Sequence, residues 1–137
     1  MIKALFAFLM SAVFGVCLCT GARADDGPPA TTESPFACNV KALTPAARTR
    51  HFDEVGPAMR AMRLAVRELP NGYAFQFPAD PAAVALIAEW VTGERACCPF
   101  FDIAMSFDRE GGPFWLTITG RPGTKDFIKA DAPDWIK

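Results

Sequence analysis

The feature that most constrains this chain is a change of period around Pro99. From Asp80-Pro81 onward the apolar residues Val84, Ile87, Trp90 and Val91 recur at helical spacing, which marks one face of a helix. Beyond Pro99 the spacing becomes two. Phe101, Ile103, Met105 and Phe107 alternate with Asp102, Ala104, Ser106 and Asp108, the pattern of a strand with one buried face. Proline disfavours helical geometry in the residue before it. The helix is therefore expected to end near Cys97, and a strand must leave it almost at once. The junction reads Glu94-Arg95-Ala96-Cys97-Cys98-Pro99-Phe100, so two adjacent thiols sit where one element gives way to the next.

The rest of the chain can be read around that junction. Thr44-Pro45 is a helix start, a capping hydroxyl followed by proline at the first helical position. Phe52, Val55, Met59, Met62, Val66 and Leu69 follow at spacings of three and four, which predicts a first helix reaching Leu69, kinked or divided at Gly56-Pro57. Leu69-Pro70-Asn71-Gly72 stops it and turns the chain. Tyr73, Phe75 and Phe77 alternate as a strand. A third alternating run, Phe114, Leu116 and Ile118, follows a glycine-rich turn at 109–113, and Lys125 to Ile128 reads as a short last helix. The expected class is α+β, in the order α-β-α-β-β-α, with a small, largely antiparallel three-stranded sheet packed against helices.

Residues 1–24 have the layout of a secretory signal peptide: Lys3, an apolar run from Ala4 to Leu18, and Ala22-Arg23-Ala24 as a small-x-small cleavage site. Residues 25–37, rich in Pro, Thr, Ser and Asp, read as a flexible leader, and 38–137 as a single domain. Removing 24 of 137 residues takes Lys3 and Arg23 and leaves 12 basic and 15 acidic groups. No basic block remains for nucleic acid, and no second apolar run is long enough to span a membrane once the signal is cleaved. The expected location is periplasmic or secreted.

Cys17 and Cys19 leave with the signal, so the mature chain keeps Cys38, Cys97 and Cys98. Three is odd for a compartment that oxidises thiols. Adjacent cysteines rarely bond to each other, which leaves two readings. In one, Cys38 bonds to Cys97 or Cys98, pins the N-terminal segment to the helix end, and leaves one inert thiol in a structural or interaction domain. In the other, Cys38, Cys97 and Cys98 are thiolate ligands of one soft ion, Cu, Hg or Zn. The partner is then the metal ion, or else a protein that the sequence does not identify.

His51, the only histidine, reads as a half-exposed helix residue, with a fourth-ligand role as the alternative. Met59, Met62 and Met105 read as core. Cys-His nucleophilic catalysis by Cys97 and His51 lacks a third orienting group, so no catalytic residue is assigned. On a helical wheel one of Cys97 and Cys98 faces the core and the other leans to its rim. Glu94 points inward, and Arg95 or the backbone N–H groups of residues 98–101 are its expected partners.

The segment resembles a group of small, uncharacterised bacterial proteins in which E-R-x-C-C-P-F recurs. Here Glu94, Arg95, Cys97, Cys98, Pro99 and Phe100 carry that motif. Gly120, Gly123, Lys125 and Phe127 carry a following G-x-x-G-x-K-x-F. The resemblance covers roughly the last two thirds of the chain and implies no catalytic residue. Gly56-Pro57 departs from the unbroken helix it would imply.

Overall fold

The computed structural model describes residues 32–137. The expected signal peptide and most of the expected leader fall outside the described residues. The first long helix, α1, covers residues 45–62 in three abutting pieces: α-helical Pro45–Thr49, π-helical Arg50–Val55 and α-helical Gly56–Met62. Strands β1 (Ala65–Leu69) and β2 (Gly72–Phe77) follow, then α2 (Pro81–Cys97), β3 (Phe101–Phe107), β4 (Phe114–Gly120) and α3 (Thr124–Asp131). Both helix starts use their capping residues. Thr44 Oγ1 accepts from the Ala47 N–H at 3.2 Å, and Asp80 accepts from Ala82 and Ala83 at 3.0 and 3.1 Å, satisfying donors that the first turn leaves open.

The three-stranded sheet expected from the sequence is corrected. The sheet has four antiparallel strands in the spatial order β1-β2-β4-β3, and the chain order is α-β-β-α-β-β-α. Helical spacing extended past Met62 concealed β1. Arg63 leaves the helix with ψ 127°. Val66 pairs with Phe75 across the hairpin, and Leu69 with Gly72. Residues three apart share a face in a helix but lie on opposite faces of a strand. The Met62–Val66–Leu69 rhythm therefore matched a helix by coincidence.

Rungs of apolar side chains cross the sheet: Tyr73–Ile118–Ile103, Phe75–Leu116–Met105 and Phe77–Phe114–Phe107. Val55 and Met59 of α1, Ile87 and Trp90 of α2, Ile128 of α3 and Trp135 join this core. The opposite face carries small and polar residues, with the Arg67 guanidinium 4.3 Å over the Trp115 ring. A smaller cluster sits where α2 meets β3. Cys97, Cys98 and Phe100 are buried there, with Phe36, Cys38 and Phe127 packed against them.

The π turn in α1 sets which residues reach the core. Pro57 has no N–H and its ring crowds the preceding turn. The chain widens ahead of it, and the Gly56 N–H donates to the His51 carbonyl five residues back. With one more residue in the turn, His51 rather than Phe52 falls in line with Val55 and Met59. His51 is buried, and Phe52 is 39% exposed. The expectations for both are thereby reversed.

Candidate functional site

The end of α2 forms the floor of the site. Glu94 lies on its inward face and is 7% exposed, while Arg95 points to solvent. Cys97 closes the helix, and Cys98 caps it at φ −125°, ψ 65°, its N–H bonding to the Glu94 carbonyl at 2.7 Å. The early end of the helix follows from Pro99. Both thiol positions have no exposed surface, so neither leans to a rim as the helical wheel suggested. Cys98, outside the helix, has turned back into the core.

The N-terminal segment is fastened to this end. The Asn39 N–H donates to the Cys97 carbonyl at 2.7 Å. Cys38 and Cys98 stand as a disulfide pair with Cα atoms 4.9 Å apart, 60 residues apart in sequence. Phe36 packs edge-on to Phe100 at 5.2 Å, under the Arg121 guanidinium 4.3 Å above its ring. Cys97 is left as a buried free thiol.

Glu94 has a partner that neither expectation named. His51 Nε2 donates to Glu94 Oε2 at 3.0 Å, with both side chains buried. A buried carboxylate without a partner costs several kcal/mol, and His51 supplies the bond instead of Arg95 or the backbone. Two aromatic rings hold the imidazole. Trp90 stacks on it at 5.5 Å with an interplanar angle of 12°, and Phe52 meets it edge-on at 4.7 Å. The third wall is α2 itself at Gly93. A Cβ there would come within 2.6 Å of His51 Nδ1, so only glycine lets the imidazole lie against the helix. This glycine is the signal that sequence reasoning passed over. Glycine inside a helix costs about 1 kcal/mol against alanine, and with no turn to explain it, it marks a close approach.

The Cys97 thiol lies 3.7 Å from the Glu94 carbonyl and 3.8 Å from Glu94 Oε2. Burial, and then the nearby Glu94 charge, push its pKa up to about 12. A thiol held protonated at neutral pH is not a nucleophile. Glu94 is the third group that a Cys-His arrangement lacked in the sequence, yet it does not activate Cys97.

The three cysteines do not gather into one ligand set. They divide into two sets that share Glu94: Cys38, Glu94 and Cys98, and His51, Glu94 and Cys97. In each set the donor atoms lie within 4.8 Å of one another. A pocket of about 260 Å³ opens above, lined by Cys38, His51, Glu94, Trp90 and Trp135 among others. Asp131 stands at its edge, with Oδ2 4.0 Å from Cys38 Sγ. Met59 is in the core, and Met62 and Met105 pack against it, as the sequence suggested. No helix among the described residues is long and apolar enough to cross a membrane. No protein-family model matches this chain, and no curated protein or solved structure matches it either.

Proposed function

We propose that this is a periplasmic or secreted protein that binds a soft metal ion, Cu, Hg or Zn, through Cys38, Cys97 and Cys98 when its thiols are reduced. The observation that carries the reading is the shared carboxylate. The sulfurs of Cys38 and Cys98 lie within 4.8 Å of a Glu94 oxygen, and the Cys97 sulfur is 3.8 Å from Glu94 Oε2. Opening the bridge would free Cys38 and Cys98, and with Cys97 they would then have to turn toward the Glu94 side to share one ion. Soft ions select such a set over oxygen and nitrogen donors. Glu94 and His51 then act as the groups that orient the thiolates. The signal-like N-terminus and the bridge fit an oxidising compartment, where the reduced form would be supplied by a thiol reductant.

The test is titration of the mature protein with Cu(I), Hg(II) and Zn(II), reduced and oxidised, followed by thiolate-to-metal absorbance. Binding of Cu(I) or Hg(II) below micromolar in the reduced form alone, lost in Cys97→Ser with Cys98→Ser, is expected. Binding that survives that double substitution, or none at all, overturns the proposal.

A second reading is favoured by the Cys38–Cys98 pair itself: a disulfide-stabilised domain without metal. It requires Cys97 to label only after unfolding, with Cys38 and Cys98 labelling only after reduction as well, and no change in either on adding metal. Free-thiol counting by mass spectrometry separates the two readings.

A further inference from the structure

We propose that His51, Glu94 and Cys97 form a second metal site, which works while the Cys38–Cys98 bridge is closed and takes a borderline divalent ion of the Zn(II) type. This site shares Cys97 with the three-cysteine reading but does not need the bridge to open, so either can fail alone.

Donor spacing is the first ground. Zinc bonds of about 2.0–2.3 Å at tetrahedral angles place neighbouring donor atoms roughly 3.3–3.6 Å apart. His51 Nε2 and Glu94 Oε2 are 3.0 Å apart, Cys97 Sγ and Glu94 Oε2 are 3.8 Å apart, and all three donors fall within 4.8 Å. Small side-chain rotations separate the first pair and close the second.

The chemistry of the set is the second ground. One imidazole nitrogen, one carboxylate oxygen and one sulfur are mixed donors. Borderline ions accept such a set, whereas Cu(I) and Hg(II) prefer sulfur alone. A divalent ion on one carboxylate and one thiolate leaves the site with no net charge, which suits a place where all three side chains are buried. The Cys97 proton is released to solvent as the metal–sulfur bond forms, and the imidazole proton shifts from Nε2 to Nδ1, so that Nε2 exchanges its hydrogen bond to Glu94 for the metal.

The third ground is access. His51 and Glu94 line the 260 Å³ pocket, so an ion can reach them without unfolding the domain. Cys97 is fully buried and meets the ion from the interior, 3.8 Å from Glu94 Oε2, which leaves the pocket side as the position where zinc with three protein donors keeps water or an exchangeable ligand. The walls are fixed as well: Trp90 stacks on the imidazole and the bare backbone of Gly93 backs it.

The experiment uses disulfide-closed mature protein, its bridge verified by mass, titrated with Co(II) as the spectroscopic stand-in for Zn(II). Expected are the visible bands of tetrahedral cobalt and thiolate-to-cobalt charge transfer, saturating at one ion per chain and bleached by Zn(II). Cys97→Ser should abolish the charge-transfer band. Glu94→Gln, which keeps a hydrogen bond to His51 and so preserves the fold, should weaken binding about tenfold or more. Cys38→Ala with Cys98→Ala should retain the cobalt spectrum while removing the three-cysteine set. The proposal is overturned if the disulfide-closed protein binds no Co(II) at millimolar concentration, if the spectrum persists in Cys97→Ser, or if binding disappears in the Cys38→Ala, Cys98→Ala protein while that protein remains folded by circular dichroism.

Discussion

Gly93→Ala sets two effects of opposite sign against each other. Alanine is favoured over glycine in a helix interior by about 1 kcal/mol, so on propensity alone the substitution stabilises α2. The added Cβ, however, would lie 2.6 Å from His51 Nδ1 and 3.1 Å from its Cε1. Ordinary contact begins at about 3.4 Å, so the imidazole must withdraw by about 0.8 Å. Trp90 stands in parallel against the ring and Phe52 against its edge, which leaves little room. A shift of that size takes the 3.0 Å His51–Glu94 contact out of hydrogen-bond range. Breaking a buried pair costs about 3–5 kcal/mol. The net expectation is a loss of about 2–4 kcal/mol, read as a lower urea midpoint with an unchanged slope. The control is the same substitution in a His51→Ala background. There the obstruction is gone, and Gly93→Ala should stabilise by up to about 1 kcal/mol. A double-mutant cycle isolates that reversal. If Gly93→Ala is neutral or stabilising with His51 present, the imidazole is not held against α2 and the geometry proposed for the site is wrong.

Stability should fall at alkaline pH through Cys97. From its ordinary value of 9.0 up to about 12, the unfolded thiol ionises and the folded one does not, so the unfolded state binds fewer protons. ΔG of unfolding then drops by about 1.4 kcal/mol per pH unit in that window and is unaffected below it. Denaturation of wild type and Cys97→Ala at pH 8 and 10 should show the slope only in wild type. Reducing the Cys38–Cys98 bridge, which closes a 60-residue separation, should cost about 4 kcal/mol, visible as a lower melting temperature in the presence of reductant. Glu94→Ala leaves the buried His51 N–H without its acceptor and should destabilise by about 1–3 kcal/mol. Glu94→Gln should cost less than half of that, and equal losses in guanidinium titrations would mean that the His51 bond carries no weight.

The elements flanking Pro99 were legible because both signals there are local: a capped helix with one apolar face, and strict alternation after it. β1 was not, because five residues, Ala-Val-Arg-Glu-Leu, are too few for alternation to outvote a helical rhythm running in from Met62. Its only firm evidence is the cross-strand pairing with β2, which no window along the chain contains. The site was half legible. An inward Glu94 could be read from the wheel, but its partner lies 43 residues earlier. His51 reaches it only because Pro57 forces a π turn that shifts the buried face by one residue, and helical counting has no means of anticipating that shift. The two open pairings for Cys38 could not be narrowed in sequence, since Cys97 and Cys98 differ only in which side of the helix end they occupy.

The sheet order has a consequence for how the chain must assemble. α2 carries the backbone from β2 to β3, which are not neighbours, and leaves a gap one strand wide that β4 fills. β4 begins at Phe114, so the central strand is the last one to be made. Until it arrives, β2 and β3 each present an open edge, and the rungs through Phe114, Leu116 and Ile118 have no middle. Cys38 and Cys98 have both emerged by then. A nascent chain entering an oxidising compartment can therefore close its covalent loop around α1, β1, β2 and α2 before any complete sheet exists. Exposed strand edges of this kind are templates for pairing with other chains. Interruption of synthesis between residues 98 and 114 under oxidising conditions should thus yield a bridged, half-sheeted species prone to association rather than a smaller folded domain.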